Sequence, residues 1–86
     1  MRNEHYYLLA FNSTHFAISA ENYLSKSIPV TIMPTLRKIT ASCGISLRIE
    51  PEDYLKAVEL IHSNPKIKKN SAFYEILNES VIPLDF

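Results

Sequence analysis

Cys43 and Gly44 are the single cysteine and the single glycine of this 86-residue chain, and they stand side by side in the stretch RKITASCGISLRI, residues 37–49. A cysteine reacts as thiolate, attacking sulfur or carbon electrophiles. Nearby cations, helix N-termini and converging backbone N–H groups lower its pKa from a free value of about 8.5. The same loop supplies cations in Arg37 and Lys38, and hydroxyls in Thr40 and Ser42 that can close a short turn around the thiol. Gly44 lets the backbone approach closely or take a positive φ. The residues thus suit an activated thiol. The plainer alternative is a buried, unreactive Cys43 beside an ordinary hairpin-turn glycine. One cysteine cannot form an internal disulfide, which fits a reducing, cytoplasmic setting and leaves a free thiol to account for.

Other chemistries find less support. His15 is a candidate acid/base partner for the thiol, placed by the expected fold on the same side as Cys43. A Cys-His hydrolase also needs an oxyanion hole, a third orienting group and a cleft, which favours a carrier with a nucleophilic cysteine over a turnover enzyme. No Cys-x-x-Cys or His-x-x-x-His spacing occurs, so neither a metal nor a resident cofactor is expected. His5 and His62 read as surface residues.

The elements that must position the loop follow from periodicity. HYYLLAF, His5–Phe11, is a compact apolar run that favours a buried strand. Asn12, Ser13 and Thr14 are capping residues, and Ala17, Ala20 and Leu24 then recur at helical spacing, giving a helix over about His15 to Ser27. Pro29 blocks its continuation, and Val30–Pro34 alternates as a second strand. Ile45, Leu47 and Ile49 alternate with Ser46 and Arg48 in a third, half-buried strand. Pro51, Glu52 and Asp53 suit the first turn of a second helix with an apolar face of Tyr54, Ala57, Val58 and Ile61, ended by Asn64 and Pro65. KIKKN reads as a solvated turn, SAFYEIL (Ser71–Leu77) as a fourth strand, and residues 78–86 as a tail on a single domain whose core spans about 5–77.

The order βαββαβ predicts an α+β ferredoxin-like plait, a four-stranded antiparallel sheet with two helices on one face. Right-handed crossovers put three loops at one end of it: Asn12 to His15, Leu36 to Gly44, and His62 to Lys69. Lys66, Lys68, Lys69 and the first turn of helix one would then join Arg37 around Cys43.

Composition bounds the partners. Nine basic residues balance nine acidic ones, so no global field attracts nucleic acid or an anionic membrane. No apolar run reaches the roughly 20 residues that span a bilayer, and MRNEHYYLLAF lacks the features of a signal peptide. A plait is also the fold of RNA-recognition modules, but those stack bases on aromatics of the third strand, and Ile45–Ile49 has none. A thiol-independent interaction or regulatory module, or a homo-oligomer formed through an edge strand, stays open.

IMPTLRKITASCGISLRI resembles the signature of the selenium/sulfur carrier protein-like family of small bacterial proteins, Ile-Pro-x-Pro-Arg-x-Ile-Ser-x-Ser-Cys-Gly before an alternating strand. Arg37, Ile39, Ser42, Cys43 and Gly44 match it, Thr40 stands for the usual serine, and Leu36 stands for the second proline. Upstream, Ser13, Thr14, Ala17 and Glu21 resemble the family's Ser-Thr-x-x-Ala-x-x-x-Glu stretch, so the likeness runs from Tyr7 to Ile49. The resemblance implies a carrier whose Cys43 transiently holds sulfur or selenium as a persulfide or selenopersulfide, between donor and acceptor proteins.

If Arg37 and the loop backbone stabilise the thiolate, its pKa lies below the free-thiol reference. Arg37→Ala then raises it, and Lys68→Ala, removing a screened mobile charge, raises it less. Alkylation rate against pH measures both; a titration that does not respond to Arg37→Ala removes the guanidinium from the site.

Overall fold

The computed structural model describes residues 4–36, 39 and 44–84. Five strands, β1 (His5–Phe11), β2 (Thr31–Pro34), β3 (Ile45–Ile49), β4 (Ser71–Leu77) and β5 (Ser80–Leu84), form one sheet in the order β2-β3-β1-β4-β5. Every neighbouring pair is antiparallel. The fold is α+β, with five strands and not the four expected. The segment 78–86, read as a tail, contributes β5. Its two-residue loop closes because Asn78 takes φ 56°, a left-handed conformation that asparagine tolerates. The Asn78 N–H donates to the Glu4 carbonyl and its side-chain oxygen accepts from the Glu4 N–H, pinning the hairpin to the start of β1.

The first helix, α1 (Thr14–Leu24), begins one residue earlier and ends three residues sooner than the spacing predicts. Ser13 is its N-cap, its hydroxyl accepting from the Phe16 N–H, and the chain then unwinds through a turn in which Ser27 and Ile28 both donate to the Leu24 carbonyl. The second helical stretch opens with a 3₁₀ turn, Pro51–Asp53, and continues as α2 (Tyr54–His62). Asn64 and Pro65 do end α2, yet they also begin another helix: Asn64 caps Ile67 and Pro65 occupies the first turn of α3 (Pro65–Lys69). KIKK is therefore helical, with Ile67 turned into the core. β2 begins one residue later than expected, at Thr31.

All three helices pack on one face of the sheet. Ala17, Ala20 and Leu24 of α1, Ala57 and Ile61 of α2 and Ile67 of α3 share a core with Leu9, Phe11, Leu47, Ile49 and Phe73. The strand alternation sends the remaining side chains to the other face, where Tyr6, Leu8, Ala10 and Ile76 form a second cluster around Ile39, flanked by Met33, Leu36, Tyr74 and Val81. Ser46, expected on a half-exposed face, is fully buried there. The face opposite the helices is thus partly covered by Leu36 and Ile39, which follow β2.

Ile39 carries that cover. Ile39→Ala leaves a cavity over β1, and the expected loss is about 2–5 kcal/mol, a large share of the roughly 5–10 kcal/mol of a small domain. Urea unfolding at constant m measures it. A change under about 0.5 kcal/mol would mean that the connection does not seal the second cluster.

Candidate functional site

Of the residues singled out for chemistry, Arg37, Thr40, Ser42 and Cys43 lie outside the described residues, as does Lys38. What the structure defines is the frame on either side of them. The last β2–β3 pair is Pro34↔Ile45, and beyond it the Thr35 N–H donates to the Gly44 carbonyl at 3.0 Å. The Thr35 and Ser46 hydroxyls meet at 2.7 Å, which satisfies the buried Ser46 side chain. Next, the Ile39 N–H donates to the Leu36 carbonyl, folding the chain back so that Ile39 enters the second cluster. The segment carrying Cys43 therefore starts from a hydrogen-bonded neck at Thr35 and Gly44 and has an apolar anchor on the sheet.

Gly44 itself is exposed and has no positive φ, and a Cβ built there meets no other atom within 4 Å among the described residues. Neither a left-handed conformation nor a close approach at this position requires glycine.

The neck shares its end of the sheet with the other two loops, as the topology requires. The β1–β3 register runs to Ala10↔Ser46, the β1–β4 register to Phe11↔Ser71, and the Asn12 N–H then donates to the Asn70 carbonyl. The described groups expected near the thiol do not, however, share a face with the Ile39 anchor. Ile39 is on the face opposite the helices. His15 lies with Lys66 and Lys69 on the helix side, where they line a groove of about 650 Å³ with Phe16, Ser19 and Ile67. His15 is exposed and its ring sits edge-on to Phe16 at 5.6 Å. Lys68 is not among the groove residues.

Sequence reading missed Thr35, Ser46 and Ile39 as parts of this frame. Ile39 stood inside the motif but had no assigned role, and a polar Ser46 in an alternating strand signals solvent unless something covers that face. At the other end of the sheet, Tyr7 stacks on Tyr54 at 4.3 Å between ring centroids, and both His5 and Tyr7 hydrogen-bond to Glu75. Burial, and then the Glu75 carboxylate, hold the Tyr7 phenol above its ordinary pKa. Arg48 lies 4.2 Å over the Tyr6 ring and donates to Glu50, joining β3 to β1 across the second face.

An α+β domain with a five-stranded antiparallel sheet and its helices on one face is the class that the fold defines. Within that class, this chain belongs to the family described as "Putative Se/S carrier protein-like", whose model matches residues 6–82. The match runs from β1 into β5 and includes the whole β2–β3 connection. No curated protein and no solved structure matches the chain. No helix among the described residues is long and apolar enough to cross a membrane.

Because Gly44 has no positive φ and a Cβ there meets nothing among the described residues, Gly44→Ala is expected to keep the fold, with stability unchanged or raised by up to about 1 kcal/mol through the unfolded chain. Thermal unfolding checks this. A loss beyond about 1 kcal/mol would show that the neck needs glycine.

Proposed function

We propose that this protein carries a single sulfur or selenium atom on Cys43, receiving it from one protein and passing it to another. The observation that carries the reading is the family match across residues 6–82, which includes the chain's one thiol. The hydrogen-bonded neck and the Ile39 anchor support it, since a carrier must present its thiol from a fixed base. The order β2-β3-β1-β4 also fits the expected ferredoxin-like plait, here read as extended by β5.

In the proposed exchange the Cys43 thiolate attacks the outer sulfur of a donor's cysteine persulfide. A new S–S bond forms on Cys43 as the donor's S–S bond breaks, and the donor cysteine leaves as a thiolate. No net oxidation occurs, because the transferred sulfur keeps its oxidation state. The acceptor's thiolate repeats the step on the outer sulfur of the Cys43 persulfide, and selenium follows the same course as a selenopersulfide. Thiolate exchange needs no general base, so His15 has no required part in it. Arg37 is assigned to favour the thiolate, and Thr40 and Ser42 to shape the turn that presents it. Such chemistry belongs in a reducing compartment, and we place the protein in the cytoplasm.

Incubation with a cysteine desulfurase and cysteine, without added reductant, is expected to add the mass of one sulfur atom to the intact protein and nothing to Cys43→Ser. A selenium-donating reaction run in parallel identifies the cargo. No adduct from either donor would overturn the carrier reading and leave a thiol-independent interaction module.

A further inference from the structure

We propose that the groove between α1 and α3 docks an acidic, partly apolar segment of a partner protein. Two cations, Lys66 and Lys69, project from successive turns of α3, and no carboxylate lines the groove with them. Among the described residues no acidic side chain pairs with either lysine. On a chain of zero net charge this is a local excess of positive charge. It is completed by the first turn of α1, which contains no acidic residue and turns the positive end of that helix dipole to the same side. Phe16, Pro65 and Ile67 line the same groove, an apolar lining that a purely ionic ligand would leave unused.

The shape and the polar groups favour a peptide over a small oxyanion. At about 650 Å³ and open to solvent, the groove has the capacity of a site for several side chains. The two asparagines that line it are already engaged. Asn64 caps Ile67 through its side-chain oxygen, while Asn70 donates to the Lys66 carbonyl and accepts from the Asn12 amide. Few fixed donors are left to converge on one anion, whereas mobile lysines suit carboxylates spread along a chain. A single-stranded nucleic acid would want a row of stacking rings, and the groove provides Phe16 and the His15 imidazole alone.

The groove lies at the same end of the sheet as the Thr35–Gly44 neck, so a partner held there sits near the base of the β2–β3 connection. Naming that partner as the sulfur or selenium donor or acceptor rests on the carrier reading. The docking itself does not, because it uses no atom of Cys43.

The probe is a fluorescent peptide of mixed aspartate and glutamate around one phenylalanine, with a matched glutamine/asparagine peptide and an oligouridylate of equal charge as controls. Binding to the full chain, followed by anisotropy, is expected for the acidic peptide alone, to weaken with salt, and to shift the amide resonances of Ser19 and Asn70. Lys66→Gln with Lys69→Gln is expected to weaken it roughly three- to tenfold, the range for losing two exposed charge contacts. Both lysines are exposed, so the variant keeps its fold. Cys43→Ser is expected to bind as wild type even if the sulfur transfer fails, which separates the two proposals. No saturable binding, binding indifferent to the double substitution, or equal binding of the oligouridylate would overturn the docking proposal.

Discussion

The structure depends on burying β1 from both sides. Leu8, Leu9, Ala10 and Phe11 are all buried, and the strand pairs with β3 along one edge and β4 along the other. A central strand of this kind cannot alternate apolar with polar residues, because neither face sees water. Helices supply one cover, with Ala17, Ala20 and Ala57 small enough to bring their backbones close to the sheet. The other cover comes from the β2–β3 connection, through Leu36 and Ile39. Leu36 and Ile39 are consequently part of the packing of the second face. Beneath that cover the one buried polar side chain among the described residues, Ser46, is satisfied by the half-buried Thr35 hydroxyl.

Much of this was legible in the sequence, and what was not has physical reasons. β1, β3 and β4 were readable to the residue, because HYYLLAF, ISLRI and SAFYEIL are dense in β-forming residues and are bounded by polar or turn-forming ones. β5 was hidden because Pro83 and an Asn-Glu turn carry no standard hairpin signal; it is recruited by pairing with β4, a tertiary effect. α3 was hidden because Asn64 and Pro65 serve equally well as a helix stop and a helix start. The common end of three loops followed from topology, but their division between two faces did not. That division depends on Ile39 choosing the far side of the sheet, and an isolated isoleucine in a loop announces no direction.

The division separates two kinds of work. On one face, apolar anchoring of Ile39 holds the base of the thiol segment; on the other, α1 and α3 present cations to solvent. Charges gathered on the helix side are then available to a visiting macromolecule without lying against the sheet surface to which Ile39 is fixed. Tyr7, Tyr54, Phe73 and Glu75 close the far end of the helix face by stacking and hydrogen bonding, so the two ends of the sheet differ in character as well as in residues.

The β4–β5 hairpin also bears on the order in which the chain can assemble. Joined by two residues, it can form within about 1–10 μs of both strands being available, although the Asn78–Glu4 bonds that pin it must wait for β1. β1 has no such local partner: Leu9 must find Leu47 and Phe73, far along the chain. Loop closure over those separations makes β1 pairing the slow, entropically costly event of folding. During synthesis from the ribosome β1 emerges ahead of both its partners, an unpaired apolar strand until β3 has followed it and half-paired until β4 has. In a newly made chain, the segment that later becomes the centre of the sheet is the one most in need of a chaperone.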